Sequence, residues 1–499
     1  MASTKSPHGV DTKVVAYENF MGLDTSRDRV NQDTQQEQHL SLIENATCDW
    51  RGQIVRDPSA SFKEGMNKVK HVRHFGENEL AWAEQTGAGI DLTTSRDHTK
   101  AGVYPTNATV TSTIFNQQAH FFVRALPAHF YDGVLWKVNS SPALATLNPQ
   151  FATTVQRRLA VAGIAGKETQ VHLSRVDNGQ IFPDDEDPDS TDVLRAGFID
   201  VGNQIGSADK ITGLSSFEQD KLVIFTADRA LIYGIDPSIL LWQIDTRTNI
   251  HIGCISHNTI VSAGTDVLFC SRSGVHSIQR STENGSLVFS SSMSDKIDLL
   301  YREYFASVED PQSIAAVWDQ DEAQYHIFFP QPGDTNIKRL TLSTNPEGEA
   351  PVPKWSTGNF LNSRCGSFLS GQLALGTPGG VYTVNKTEST EGYTPDLSIL
   401  TPILWHGDLI GTKQTPSLIL QPHGQSVVTI SATDDLGRDL GSITFEVDDT
   451  DDNRFFGVPI SSQYERKWET RYRGAQYKIV SDGGSGTFRI TGFAVVIRK

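Results

Sequence analysis

Between residues 211 and 279 the hydrophobic positions fall in short runs, not at helical spacing. Lys221-Leu222-Val223-Ile224-Phe225 is almost continuously apolar, Ala230-Leu231-Ile232-Tyr233 answers it, and Thr226-Ala227-Asp228-Arg229 turns between them. Thr259-Ile260-Val261-Ser262-Ala263 follows, closed by Gly264-Thr265-Asp266. Val267-Leu268-Phe269-Cys270 then turns at Ser271-Arg272-Ser273-Gly274 into Val275-His276-Ser277-Ile278. β-Branched and aromatic runs bounded by Gly, Asp and Ser predict successive antiparallel hairpins. Nothing in this stretch carries chemistry; it reads as scaffold.

The same pattern recurs along the chain. From Thr109 onward come VTSTIFNQQAHFFVRAL with YDGVLWKVN, then RRLAVAGIAGKETQVHLSRV, the two hairpins above, SIAAVWDQDEAQYHIFFP with NIKRLTL, and SFLSGQLALGTPGGVYTVN. These units lie roughly 45 to 60 residues apart, a spacing at which each needs its neighbours to bury a face. They predict a β-propeller of about six blade-like units, with a pair of β-sandwiches as the rival architecture. After Tyr393 the apolar positions alternate at period two, with turns at Asp434-Asp435-Leu436-Gly437 and Asp482-Gly483-Gly484-Ser485-Gly486. The expected fold is therefore all-β. An N-terminal arm and platform segment occupies 1–108, the propeller 109–392 and an antiparallel β-sandwich 393–499. One helix is expected over 294–307, with Ser294 as its cap and Ile297, Leu300, Tyr301 and Tyr304 or Phe305 on one face.

Composition narrows the function classes. Lys and Arg number 43 against 59 Asp and Glu, a net charge of −16, and no basic run exceeds two residues. Gripping duplex nucleic acid requires cations that displace phosphate counterions, so this balance argues against it. The N-terminus has no apolar leader and the apolar stretches are strand-length, so neither a signal peptide nor a membrane span is expected. Cys48, Cys254, Cys270 and Cys365 have no metal-ligand spacing and read as buried thiols, although Cys254 and Cys270 could meet. A reducing cytoplasm is the expected place of synthesis.

Other candidates also have a plain structural reading. His71 and His74 could hold a metal but read as packing or surface histidines. Gly376-Thr377-Pro378-Gly379-Gly380 lacks the Lys-Ser/Thr of a phosphate cradle and reads as a turn. Trp136, Trp242, Trp318, Trp355, Trp405 and Trp468 read as core. Two acidic clusters, Asp184, Asp185, Glu186, Asp187, Asp189 and Asp448, Asp449, Asp451, Asp452, do not fit the twelve-residue calcium loop. No cofactor and no catalytic residue is expected.

The order of these pieces carries a resemblance. Phe20-Met21-Gly22-Leu23-Asp24-Thr25 follows Tyr17 in an extended arm. A strand, a turn from Asp49 to Gly52, a second strand and Arg56-Asp57-Pro58 come next. Ile211-Thr212-Gly213-Leu214, Gly253-Cys254-Ile255-Ser256 and Ser273-Gly274-Val275 then punctuate the hairpins. This succession resembles the tail nozzle proteins of short-tailed bacteriophages, also called tail tubular protein B or packaged-DNA stabilisation proteins. It departs where Asp57-Pro58-Ser59 stands for a frequent Arg-Pro-Gly, and in its shortness, which leaves little room for fibre-docking insertions.

The resemblance implies a structural virion protein, not an enzyme. It would form a homohexameric ring below the portal and adaptor ring, continuing the DNA-ejection channel, with tail fibres or tip proteins as further partners. Genomic DNA would pass through without sequence-specific binding. Six copies at −16 carry about −96, which repels a polyanion over roughly a Debye length, ~8 Å. The two acidic clusters become candidate channel-facing loops, and Tyr17, Phe20 and Leu23 a candidate inter-subunit arm. The alternatives are a propeller-type polysaccharide depolymerase and a non-viral protein-binding propeller.

Overall fold

In the computed structural model, seven four-stranded antiparallel units surround a central axis. The structure describes all residues except 1–2, 6–10, 26–38, 67, 77, 84–88, 92–95, 99–108, 125, 140, 188–189, 206–208, 218–219, 245–250, 264–265, 281–286, 290–291, 335–336, 345–352, 370, 386–394, 406–411, 450–463, 467–470, 483–487 and 499. Five units are free-standing meanders of consecutive strands, beginning at Val69–Phe75, Val110–Phe115, Phe151–Val155, Ile211–Phe217 and Val261–Ala263; they are blades one to five. Blade six comprises Ala315–Asp319, Gln324–Phe329, Lys338–Ser343 and Lys354–Gly358, and is the end of a larger sheet. Blade seven pairs Cys365–Leu369, Gln372–Thr377 and Gly380–Asn385 with Ser59–Gly65, a strand supplied from near the N-terminus. The inner strand of blade one packs on those of blades two and seven, which closes the ring.

The β-propeller expected from the sequence is thus present, but the blade count and the first boundary differ. Blade one, 69–98, lies inside the segment read as platform, because its two outer strands, Gly89–Asp91 and Arg96–His98, carry no apolar run. Polar outer strands are tolerated at the solvated rim of a blade, where only the inner strands must bury both faces. Blade four shows the opposite case. Leu222, Val223, Ile224 and Phe225 are all fully buried, the even positions among blade-three residues and the odd ones against blade five.

The C-terminal strands are antiparallel, as expected, but they are not detached from the ring. Leu42–Glu44 pairs antiparallel with Leu397–Leu400, and through Glu44 and Thr357 it joins Lys354–Gly358 in parallel. Blade six, the C-terminal strands and the N-terminal strands therefore form one sixteen-stranded sheet. Lys413–Asp434 serves two layers, pairing with Arg489–Arg498 in its first half and with Asp439–Asp449 and Ala475–Asp482 in its second. One core runs from Leu268, Tyr325 and Trp355 in the ring to Ile430, Tyr477 and Phe493 beyond it.

The arm folds onto its own chain. Asp11–Glu18 pairs with Arg489–Arg498 along seven residue pairs. Gly22 takes φ +80°, and a Cβ there would lie 2.9 Å from the Trp355 backbone nitrogen, so only glycine permits this approach. It lets Leu23 N–H donate to the Trp355 carbonyl at 2.9 Å. The helix is shorter than expected, a 3-10 turn Asp295–Ile297 leading into Asp298–Ala306, with Ile297 and Tyr301 fully buried. Ser294 does not cap it; its Oγ accepts from the Val275 N–H at 3.1 Å. Trp355 is fully buried and Trp136 nearly so, Trp242, Trp318 and Trp405 are half-buried, and Trp468 lies outside the described residues. No described helix is long and apolar enough to cross a membrane.

Candidate functional site at the axis of the ring

Polar chemistry gathers where the inner strands begin. The 3-10 turn His257–Thr259, ahead of blade five, reaches across to blade two, where Asn258 Nδ2 donates to the Val110 carbonyl at 3.0 Å. Gln312, ahead of blade six, bonds Gln150 ahead of blade three at 3.1 Å, and its carbonyl accepts from Ser256 Oγ at 3.0 Å. These contacts brace the axis from four sides. Beside them opens a cavity of about 340 Å³ whose rim carries Lys68, Lys70, Asn258, Glu309, Asp310 and Arg364.

Further along the same inner strand stand His71 and Arg73. Beyond the bulge between Val69 and His71, residues 71, 73 and 75 share a face turned to blade two. His71 Nε2 lies 2.7 Å from Ser112 Oγ, and Phe75 meets Tyr131 edge-on. Burial first, and then the charges of Arg73 and His257, push His71 down to about 3. Burial and Arg73 likewise push His257 down to about 4. His257 Nδ1 accepts the Leu214 N–H at 3.2 Å, consistent with a neutral ring protonated on Nε2. His71 and His257 keep some surface open to the narrow axial space although protein surrounds them. At pH 7 the fixed positive charge here is Arg73.

A second cavity, about 360 Å³, lies between the N-terminal strands and blades six and seven. At its wall Arg339 Nη2 pairs with Asp57 Oδ2, both side chains nearly inaccessible. Burial raises the Asp57 carboxyl while Arg339 pulls it back. His326 Nδ1 lies 3.0 Å from Thr341 Oγ1. The Asp57–Arg339 pair ties the N-terminal strands to the ring.

The acidic candidates separate into distinct roles. Asp185 accepts from Ser141 Oγ at 2.7 Å, Ala143 N–H at 3.0 Å and Phe182 N–H at 3.0 Å, so it secures the short helix Pro142–Leu147. Glu186 accepts from Ala196 N–H at 2.7 Å and pairs with Arg175, which also holds Asp192. Asp184 is exposed and 3.5 Å from Lys167 Nζ; Asp187 is exposed; Asp189 lies outside the described residues. Asp448 and Asp449 end the strand Asp439–Asp449 with side chains outside the described set, and Asp451 and Asp452 lie wholly outside it. Two of the first five are thus structural ties, because each accepts several local donors.

The arm candidates pack against their own chain. Phe20 and Leu23 are 2% and 1% exposed within this subunit, and Tyr17 stacks on Phe493. Their apolar surface is spent at home, where the last strand of the same chain offers a groove. His74 bonds Ser367 of blade seven at 3.0 Å and faces Glu79 at 3.5 Å, so His71 and His74 point to opposite neighbours and share no ligand. All four cysteines are buried free thiols, with Cys254 and Cys270 pushed up to about 11 and 12 by burial. Arg73 went unnoticed in the sequence. Its signal was the interleaving of Lys68, Lys70 and Arg73 with Val69 and Val72 on a strand that ends at the Gly76 turn.

No protein-family model matches the chain, and no curated protein matches it. Among solved structures it is similar to PorZ, a bacterial surface component of the type-IX secretion system of Porphyromonas gingivalis. That match has 11% identity and a TM-score of 0.36, covering 78% of this chain and 46% of that one. The chain thus spans less than half of that relative. It is also similar to YCF48 from Cyanidioschyzon merolae, at 11% identity and TM-score 0.36, covering 66% of this chain and 98% of that one. A third likeness is to the extracellular domain of a provisionally assigned hybrid two component system, BT3049, from B. thetaiotaomicron. There the identity is 9% and the TM-score 0.39, with 97% of this chain and 67% of that chain covered. Likenesses this distant assign no activity to the chain.

Proposed function

We propose that the chain is a structural subunit of the tail of a short-tailed bacteriophage. In this reading it is a nozzle or hub protein that assembles as a closed ring, continues the ejection channel below portal and adaptor, and turns over no substrate. What carries the reading is the resemblance over 211–278, whose quoted residues form the adjoining blades four and five in order. A second feature supports the ring. Phe198, on the outermost strand of blade three, is 55% exposed, and Leu240 and Leu241, before the outermost strand of blade four, are 78% and 61% exposed. Gly197 and Trp242 lie against each other, which makes these side chains neighbours on one rim. Exposed apolar side chains grouped in this way mark surfaces that a partner covers, and a heterologous contact closed by rotation would cover them in every copy.

Electron microscopy and light scattering of the purified protein test this directly. Six-fold rings with a mass near six times 54.9 kDa are expected. Leu240→Asp with Leu241→Asp should return the protein to single subunits without loss of folded structure. A chain that stays monomeric at high concentration would remove the nozzle reading in favour of a non-viral binding propeller. Release of reducing ends from host-surface polysaccharide, abolished by one Asp or Glu substitution, would favour the depolymerase instead.

A further inference from the structure

Among the described residues, Arg339 and Arg158 show how enclosed guanidinium groups are supplied with partners, and Arg73 departs from that pattern. Arg339 is paired with Asp57. Arg158 donates to the carbonyls of Ser174, Arg195 and Pro237 at 2.7, 2.8 and 2.6 Å and stacks over Trp242. Arg73, half-buried against the axis and enclosed by the inner strands, has neither. Among the described residues no carboxylate or carbonyl lies within hydrogen-bond or ion-pair reach of it. Its titratable neighbours are His71 on its own strand and His257 from ahead of blade five, both pushed down by burial.

An enclosed cation without a counter-charge costs several kcal/mol unless an anion or ordered solvent supplies it. The approach to Arg73 is suited to an anion. Lys70 is three residues earlier on the same strand, about 10 Å back along it. Lys68 and Arg364 stand with it on the rim of the 340 Å³ cavity. Asp310 on that rim is engaged with the Gln312 N–H at 3.0 Å, and Glu309 is exposed. Two carboxylates at the rim disfavour a long polyanion, whereas a compact anion can pass them beside the three cationic side chains of the same rim. Arginine presents a planar fork matched to carboxylate or phosphate oxygens.

We propose that the axial passage of the propeller binds one small oxyanion, a phosphate or a carboxylate, anchored by the Arg73 guanidinium and admitted past Lys68, Lys70 and Arg364. The site does not depend on the assembly proposed above and would serve a monomer or a ring equally. In a ring it places one bound anion in each subunit.

The test is calorimetric titration of the full-length protein with inorganic phosphate and, separately, with succinate, paired with thermal unfolding in each. One equivalent of at least one anion should bind per chain and raise the unfolding temperature. Arg73→Gln should weaken binding tenfold or more and abolish that rise, while Arg73→Lys retains part of both. Without anion, Arg73→Gln should unfold no earlier than the parent, since it deletes an uncompensated charge. Arg302→Gln, on the exposed helix surface beside Asp298, should leave binding unchanged. Binding of phosphate alone or succinate alone identifies the oxyanion. Absence of binding by both, or full affinity in Arg73→Gln, overturns the proposal.

Discussion

Tyr17 lies parallel to Phe493, ring centroids 4.9 Å apart and planes within 20°, so the start of the chain is clasped by its final strand. Phe20 also stacks on Phe493, at 6.4 Å, and is itself buried. The contact belongs to stability within one subunit. Phe20→Ala should cost about 3–5 kcal/mol, as for a large aromatic removed from a core. Tyr17→Ala, at a half-buried stack, should cost about 1 kcal/mol. Urea unfolding measures both. The Tyr17 variant should keep the parent's mass in solution; lost assembly with unchanged stability would hand the arm back to a neighbouring subunit.

Acid should unfold the blades through their histidines. His120 is enclosed by the rings of Phe115, Phe122 and Phe130, and burial pushes it down to about 4. His172, beside Phe198, is pushed to about 4 mainly by burial. In the unfolded chain each ring takes its proton near pH 6.5, in the folded chain only near 4. Between those values the unfolded state holds more protons, so stability is unaffected above about pH 7 and falls as pH drops from 6.5 toward 4. The ceiling is about 3 kcal/mol per ring. His120→Leu should flatten that decline by about its own share, seen as urea midpoints measured from pH 8 to 4.5. An unchanged slope would mean that the ring is already solvated.

How much of this was legible depends on where each strand finds its partner. Leu222 to Phe225 announced themselves because a strand buried on both faces must be apolar throughout. Blade one did not, since its inner strand spends positions 71 and 74 on polar contacts with blades two and seven. Ser59–Gly65 could not be assigned locally. Its partner strand lies some three hundred residues away, and the register of Ser61 with Thr383 is set by ring closure, not by any turn. The acidic loop was visible as charge, but whether Asp185 faced water or the Ala143 N–H is a matter of tertiary geometry. Arg73 was hidden for the same reason: a period-two pattern identifies a face without naming what stands opposite.

Asp185 and Asp184 are adjacent, and their substitutions should behave in opposite ways. Asp185 accepts three hydrogen bonds, two of them from backbone groups that lose their acceptor if it is removed. Leaving fully buried donors unmet costs about 1–3 kcal/mol, and part-buried ones less. Asp185 is itself exposed and water can reach the freed donors in part, so Asp185→Ala should destabilise by about 1 kcal/mol, with a loss of structure around Pro142–Leu147 visible by hydrogen exchange. Asp184→Ala, at an exposed pair with Lys167, should change stability by less than about 0.5 kcal/mol. Equal small effects would return the whole cluster to solvent.

Asp57 and Arg339 make the sharpest test of how the N-terminal strands are held. The two groups are 282 residues apart and almost inaccessible, so each depends on the other for its charge to be tolerated. Burial raises the Asp57 carboxyl, and the guanidinium opposes this. Asp57→Asn then strands Arg339 and should cost about 3–5 kcal/mol, as should Arg339→Met by stranding the carboxylate. Asp57→Leu combined with Arg339→Met removes both charges and should recover most of that loss, because desolvation no longer has to be repaid. A double-mutant cycle by urea unfolding reads the coupling. Strictly additive losses would show that each group is held by other neighbours, and that the weld between ring and N-terminal strands lies in the shared apolar core around Ile43 and Trp355.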